Sequence, residues 1–213
     1  MAENKLDYKK EFKDLYSPKT VPGLIDVPEM KFIMVDGKGN PNDKDGEYQK
    51  AVEIIYAISY TIKMSKMGSF EPEGYFEYVV PPLEGLWWRG DLEMDFTEKD
   101  KFHWTSMIRQ PEFVTEEVFN WACNEVKRKK PHILVEKARF SSFKEGLCVQ
   151  IMHVGSFDNE GESIKKIDEF IYNNSLKNDF NSNRKHHEIY ISNYLKTPAE
   201  KLKTVIRHPV AKI

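Results

Sequence analysis

One order of elements, strand–helix–strand–strand, is predicted twice along this chain of 213 residues. In the first half, apolar alternation predicts a strand, a long helix and then further strands, at Lys31–Val35, about Glu47–Met67, Tyr75–Val80, about Leu83–Arg89 and Phe102–Ile108. Strands that follow one another without alternating helices favour an antiparallel sheet. The chain is therefore predicted to be α+β and not an alternating α/β protein.

The second half repeats this order after a linking helix over about residues 115–130, which Thr115 is predicted to cap. Its predicted elements are two strands, a helix and two more strands, at Leu134–Phe140, Leu147–Val154, Glu160–Asn173, Glu188–Ser192 and Thr204–Val210. The segment Lys144-Glu145-Gly146 is predicted to be the turn between the first two strands. Residues 174–184 are predicted to form a loop, and residues 1–29 an arm in which Pro22, Gly23 and Pro28 break regular structure.

The helix over about Glu47–Met67 has almost no polar face. Apolar residues occupy positions 51, 52, 54–58, 60 and 62, so other elements must cover this helix on most sides. Asp45 is the predicted N-cap, and Gly68 fits the C-terminal end.

Composition excludes several classes of protein. The net charge of −2 and the isoelectric point near 6.3 argue against nucleic acid as a partner, because phosphate binding needs a basic excess. No apolar run approaches the roughly 20 residues that span a bilayer, and Met1–Leu15 does not resemble a signal peptide. Cys123 and Cys148 lack a metal-type spacing, and the histidines form no haem-ligand motif. We therefore expect a cytoplasmic protein without metal or cofactor.

The segment from His186 to Ser192 places a carboxylate in an apolar strand. Alternation puts Ile189 and Ile191 on one face and Glu188 and Tyr190 on the other. If both faces are covered, the buried carboxylate costs free energy unless something pairs with it. A cationic ligand or a transferred proton would meet that need, whereas an exposed glutamate on an edge strand is the simpler alternative.

A second carboxylate, Glu84, lies in the apolar segment Pro82-Leu83-Glu84-Gly85-Leu86-Trp87-Trp88. Alternation places Glu84, Leu86 and Trp88 on one face. If Glu84 and Glu188 faced one pocket, they would suit a base with a water-positioning group, or a site for a dication. The alternative is that Glu84 marks a turn after the prolines.

Aromatic residues make up 13% of the chain, which is more than a small core needs. A spacing of four places Tyr56 and Tyr60 on one helix face. The candidates for a ligand pocket are Tyr56, Tyr60, Tyr78, Trp87, Trp88, Trp104 and Tyr190. For any single ring, burial in the core is the alternative; the polar tips of tyrosine and tryptophan favour a pocket for some of them.

Several stretches taken in order resemble the GyrI-like small-molecule-binding proteins, which are related to effector-binding domains of multidrug-responsive transcription activators. They are Phe32-Ile33-Met34-Val35-Asp36-Gly37, Ala57-Ile58-Ser59-Tyr60, Pro82-Leu83-Glu84-Gly85-Leu86-Trp87-Trp88, His153-Val154-Gly155, Glu188-Ile189-Tyr190 and Lys203-Thr204-Val205-Ile206-Arg207. The resemblance implies two modules, about residues 30–110 and 132–213, within one domain over residues 30–213. Together they would form a curved antiparallel sheet with a central ligand groove.

The resemblance also implies a function and roles for residues. Some family members bind bulky cationic aromatic compounds, and others resemble hydrolases that open the cyclopropane ring of DNA-alkylating natural products. Glu188 matches the acidic group at the pocket floor; in a hydrolase it would activate water, with Glu84 assisting and Tyr78 polarising a substrate carbonyl. The sequence leaves open whether this chain turns over a substrate or forms a homodimer. The alternative function is a protein–protein inhibitor of the DNA gyrase inhibitor type.

Overall fold

The computed structural model describes residues 5–68, 70–90, 98–193 and 195–213. The strands of this part of the chain are β1 (Gly23–Lys38), β2 (Leu83–Trp88), β3 (His103–Arg109), β4 (Ala138–Val154), β5 (Leu176–Asn178), β6 (His186–Tyr190) and β7 (Lys203–Lys212). The α-helices are α1 (Tyr8–Glu11), α2 (Lys13–Tyr16), α3 (Glu47–Lys63), α4 (Glu116–Lys129) and α5 (Glu160–Asn173). None of the described helices combines the length and apolar character that a bilayer crossing requires.

The strands form one antiparallel sheet that closes on itself. Their order is β4-β1-β3-β2-β6-β7, β4 also pairs with β7, and the short β5 joins the end of β7. The module β1-α3-β2-β3 meets the module β4-α5-β6-β7 at two junctions, β1 with β4 and β2 with β6. This confirms the predicted α+β fold with a curved antiparallel sheet and a repeated element order.

Closure gives each strand an inner and an outer face. The inner face holds a cluster with one or more side chains from each of the six closed strands: Phe32, Met34, Leu86, Met107, Cys148, Ile189 and Val205. The arm helices α1 and α2 pack Tyr8, Leu15 and Tyr16 into this cluster. On the outer face, α3 and α4 cover the first module, and α5 covers β4 and β7.

Helix α3 confirms the prediction of a mostly buried helix. Ile55, Ile58 and Ile62 are fully buried, and each such side chain contributes roughly 1.5–3 kcal/mol relative to exposure. The predicted N-cap is wrong: Gly46 is the N-cap residue, and Asp45 before it adopts a left-handed φ of 58°. Helix α4 does begin after Thr115, whose side chain accepts a hydrogen bond from the backbone N–H of Val118.

Several predicted strand limits are wrong. β1 begins at Gly23, inside the predicted arm, and runs through Pro28 because only β4 pairs with this part of it. Tyr75–Val80 is not a strand; Tyr78 forms one isolated bridge to Leu6, and the alternation reflects packing of its rings. Residues 176–178, predicted to be loop, form β5.

The second module contains the correction that matters most for the site. The predicted turn Lys144-Glu145-Gly146 is the middle of a single strand, β4, which runs from Ala138 to Val154. Gly146 has a φ of 73°, a conformation that strongly favours glycine. Because glycine tolerates this conformation, the strand continues through residue 146. As a result, Glu145 is buried and not at the tip of a turn.

Candidate functional site

The candidate site is the outer face of β6, next to β2. Ile189 belongs to the apolar cluster on the inner face, so its neighbours Glu188 and Tyr190 lie on the outer face, as the alternation predicted. His186 shares that face because it lies two residues before Glu188. The expected burial of Glu188 is confirmed, since only 8% of its surface is exposed.

A line of hydrogen bonds crosses this face. The Tyr190 hydroxyl donates to Oε2 of Glu188 at 2.8 Å and accepts from Nε1 of Trp87 at 3.0 Å. On the other side, Oε1 of Glu188 lies 3.1 Å from Nε2 of His186. Nδ1 of His186 lies 2.8 Å from Nε2 of His208 on β7. Both oxygens of Glu188 are thus held in place.

Glu160, the first residue of α5, adds a second carboxyl group to this face. Its side chain is 2% exposed. Burial, together with the charge of Glu188 and a hydrogen bond to it, raises the pKa of Glu160 well above its usual value. We call Glu160, His186, Glu188, Tyr190 and His208 the outer cluster.

Two further members of the outer cluster, Tyr190 and His208, are also shifted away from their charged forms. Burial and the carboxylate of Glu188 raise the pKa of Tyr190 well above its usual value. Burial and the neighbouring His186 lower the pKa of His208 well below the usual value of histidine. His208 is therefore a neutral imidazole at neutral pH, and Tyr190 keeps its proton.

Aromatic rings border the outer cluster on two sides. Trp87 packs against Tyr48 of α3, with ring centroids 5.3 Å apart. Tyr190, which is partly exposed, meets the edge of Phe157 at 5.7 Å, and Phe157 is 38% exposed. Beside Phe157, Asp158 pairs with Lys99 at 3.0 Å. The face is thus most accessible where Tyr190 meets Phe157.

Glu84 does not share this face, so the prediction of one pocket with two carboxylates, Glu84 and Glu188, is wrong. In the β2–β6 register, Glu84 lies opposite Ile189, and Gly85 lies opposite Glu188. The Glu84 side chain therefore points to the inner face, 1% exposed, and the alternative of a turn is also wrong. Whether Glu84 and Glu188 share a face depends on the register between β2 and β6, which are distant in the chain. The local sequence does not determine this register.

Glu84 belongs to a second polar cluster, the inner cluster, which comprises Glu84, Glu145, His187 and Arg207. His187 lies between the two carboxylates, with Nε2 3.0 Å from Glu84 and Nδ1 3.0 Å from Glu145. Arg207 donates to Oε2 of Glu145 at 2.9 Å. It also donates to the backbone carbonyl of Leu15, which ties the N-terminal arm to β7.

The inner cluster holds His187 and Glu145 in their charged forms. Burial alone would lower the pKa of His187, but the carboxylates of Glu145 and Glu84 raise it to about 9. Burial alone would raise the pKa of Glu145, but His187 and Arg207 lower it to about 2. Two anions and two cations therefore balance inside the closed sheet.

The remaining predicted ligand residues are dispersed. Trp104 is a core residue, 1% exposed, whose ring fills the space above Gly37. Tyr78 is buried in the inner-face cluster, away from Glu188. Trp88 stacks on His103 at 5.7 Å, with Lys185 above the ring. Of the predicted rings, only Trp87 and Tyr190 adjoin Glu188.

Tyr56 and Tyr60 lie on the side of α3 that is next to α4. Their rings stack at 6.1 Å and line a groove of about 860 Å³ with Met64, Met67 and Trp121 of α4. Tyr60 is 50% exposed. These tyrosines therefore do not border the outer cluster.

Three members of the outer cluster were not predicted. His186 could have been found, because it lies two residues before Glu188 on the same strand face. Glu160 resembled an ordinary acidic residue in a first helical turn, and His208 a residue of a buried strand. Only tertiary structure brings β7 and the start of α5 to β6.

The sequence profile of the GyrI-like small molecule binding domain family matches residues 21–211. The chain belongs to this family. Among curated proteins, none matches the chain at a significant level.

Solved structures give the GyrI-like chain close relatives. An uncharacterised conserved protein from Listeria innocua is 49% identical, with a TM-score of 0.92, over 97% of this chain and 100% of that chain. A protein described as a hydrolase from Listeria innocua is 48% identical, with a TM-score of 0.88 and the same coverage. The C-terminal domain of EcmrR is 13% identical, with a TM-score of 0.54, over 90% of this chain and 98% of that domain; this likeness shows the fold alone.

Proposed function

We propose that this GyrI-like chain binds bulky, planar aromatic cations on the outer face, with Glu188 as the acidic group. The observation that carries the proposal is the buried carboxylate of Glu188, held by Tyr190 and bordered by Trp87. We take the binding domain to begin near residue 21, because β1 starts at Gly23 and the family match starts at residue 21.

The chemistry of the face fits a cationic aromatic ligand. A carboxylate with little water around it attracts a cation more strongly than an exposed one does. A planar cation over the rings of Trp87 or Tyr190 gains roughly 0.5–2 kcal/mol from cation–π attraction. The ligand would enter beside Phe157 and Tyr190, where the face is most exposed.

Quenching of a cationic rhodamine tests this proposal. Glu188→Gln keeps the shape of the side chain and removes its charge, so we expect at least tenfold weaker binding. Glu53→Gln is the matched control, because Glu53 lines the groove of Tyr56 and Tyr60. Equal affinity of wild type and Glu188→Gln, or a loss only in Glu53→Gln, would place the ligand elsewhere.

We further propose that the bound ligand can be an electrophile, such as a cyclopropane-bearing genotoxin, which the protein hydrolyses. Two solved structures from Listeria innocua, at 48% and 49% identity, are described as those of a hydrolase. Glu188 would accept a proton from water as the water oxygen bonds to a ring carbon. The broken C–C bond passes its electron pair to the conjugated carbonyl, whose oxygen then takes a proton from solvent. Tyr78 has no part, because it lies on the inner face.

Mass spectrometry in ¹⁸O-labelled water tests the hydrolysis. The product should carry one labelled oxygen, and turnover should fall at least a hundredfold in Glu188→Gln, the effect expected for a lost general base. Dye binding without turnover of several cyclopropane substrates would refute hydrolysis and leave binding intact. Inhibition of DNA gyrase stays a prediction, which a supercoiling assay tests.

A further inference from the structure

We propose that Glu160, His186 and Glu188 form a binding site for a divalent transition metal ion, with Zn²⁺ the best fit. Each residue offers one ligand atom, and these atoms lie within 4.8 Å of one another. All three residues are more than nine-tenths buried. The inference does not rest on the organic ligand proposed above.

Charge balance favours a dication here. Glu160 and Glu188 face each other in a dry environment, and no lysine or arginine of the described residues forms an ion pair with either. Lys99 acts on Glu160 only electrostatically and is itself paired with Asp158. A shared proton neutralises one carboxylate, whereas a dication balances both.

An unused ligand atom gives independent support. Oε1 of Glu160 is buried without a hydrogen-bond partner among the described residues, although carboxylate oxygens are strong acceptors. Because the carboxyl group of Glu160 borders both His186 and Glu188, a metal ion between the three would satisfy this oxygen.

The surrounding contacts are those that orient metal ligands. Nε2 of His186 faces the carboxylates, while Nδ1 contacts His208, so Nδ1 can carry the proton and leave Nε2 for the metal. The Tyr190 hydroxyl holds the second oxygen of Glu188. Such partners fix the tautomer of the imidazole and the direction of the carboxylate.

The donor set selects the metal. One imidazole nitrogen and two carboxylate oxygens, with water as a fourth ligand, match an open tetrahedral zinc site. Calcium prefers six to eight oxygen ligands, and magnesium keeps several waters. Sequence spacing predicted no metal because the ligands come from two elements, α5 and β6.

Metal titration of the full chain tests the inference. After removal of metal with a chelator, competition with a fluorescent zinc indicator should show one Zn²⁺ per chain. We expect Glu160→Gln and His186→Gln to bind at least tenfold more weakly. The matched control is His132→Gln with Glu53→Gln, because these two residues form an exposed histidine–glutamate pair at 3.8 Å.

Cobalt spectroscopy gives a readout that does not depend on a variant folding. Co²⁺ added to the wild-type chain should give the intense visible absorption of a tetrahedral site, and Zn²⁺ should displace it. Absence of this band, or zinc affinity that is equal in wild type and Glu160→Gln, would overturn the inference. The dye titration repeated in the presence of a chelator tests the metal site and the proposed function separately. If the protein binds the dye but not zinc, the metal site alone is refuted.

Discussion

The inner and outer clusters lie on opposite faces of the sheet, and strands β6 and β7 contribute residues to both, yet their charges are balanced differently. In the inner cluster, Glu84 and Glu145 are matched by His187 and Arg207, although Oε1 of Glu145 has no partner among the described residues. In the outer cluster, Glu160 and Glu188 face each other beside a neutral His208. The charges of the inner cluster balance without a ligand, whereas the outer cluster needs a proton or a ligand.

This difference separates a structural role from a binding role. A buried ion pair costs desolvation free energy but becomes essential once formed, because losing one partner leaves the other unpaired. A buried site whose charges are not balanced keeps this desolvation cost until a cation binds there. Substitutions should therefore affect stability on the inner face and ligand binding on the outer face.

The largest expected effect is the loss of Arg207. Arg207→Met leaves the buried Glu145 without its guanidinium partner and releases the carbonyl of Leu15. We expect a loss of about 3–5 kcal/mol in the free energy of unfolding, measured by urea denaturation. Glu188→Gln is the control and should cost much less; an equal loss would show that both clusters are structural.

Acid should remove part of the stability that Glu145 supplies. Because its folded pKa is about 2, below the ordinary 4.5, its charged form stabilises the fold above pH 4.5 and this contribution disappears as the pH falls towards 2. The shift corresponds to roughly 3 kcal/mol. The stability difference between wild type and Glu145→Gln should therefore shrink from pH 6 to pH 3. A constant difference would contradict a charged Glu145.

A smaller effect is expected from Tyr190→Phe. This change removes the hydroxyl that donates to Glu188 and leaves the N–H of Trp87 without its acceptor. We expect a loss of about 1.5–3 kcal/mol, typical of a hydrogen bond to a charged group. Thermal unfolding and the rhodamine titration should both report it. No change in either would mean that this hydrogen bond does not position Glu188.

The smallest effect is expected from Tyr60→Ala, on the far side of α3. Tyr60 is half exposed, so stability should change by less than about 0.5 kcal/mol. Dye affinity should stay within twofold of wild type. A large loss of dye binding would instead assign the ligand to the groove of Tyr56 and Tyr60, and the contrast between the clusters would lose its functional meaning.

Local patterns predicted most of the elements and the central residue of the site. The apolar periodicity predicted α3, α4 and α5, and alternation placed Glu188 and Tyr190 on one covered face. The same reasoning failed for Glu145, because Lys-Glu-Gly is typical of turns and Gly146 instead lets one long strand continue. A local sequence pattern indicates the structure that a segment prefers by itself. It does not show the contacts with distant segments that can override this preference.

Contacts between distant elements could not be predicted in this way. The pairing of Glu84 with Ile189, the approach of α5 to β6 and the contact of His186 with His208 join segments far apart in the chain. The family resemblance supplied the expectation of an acidic floor at Glu188. It did not supply Glu160, or the partition of the carboxylates between two faces.

The closure of the sheet bears on how the chain avoids aggregation. Around the ring, each of six strands pairs with a neighbour on both sides, and these paired stretches offer no template for a strand of another chain. The exceptions among the described strands are the short β5, which pairs on one side with β7, and the parts of β1 and β4 that pair only with each other. Two long strands of 16 and 17 residues, which would otherwise be prone to intermolecular pairing, protect each other by forming one junction of the ring.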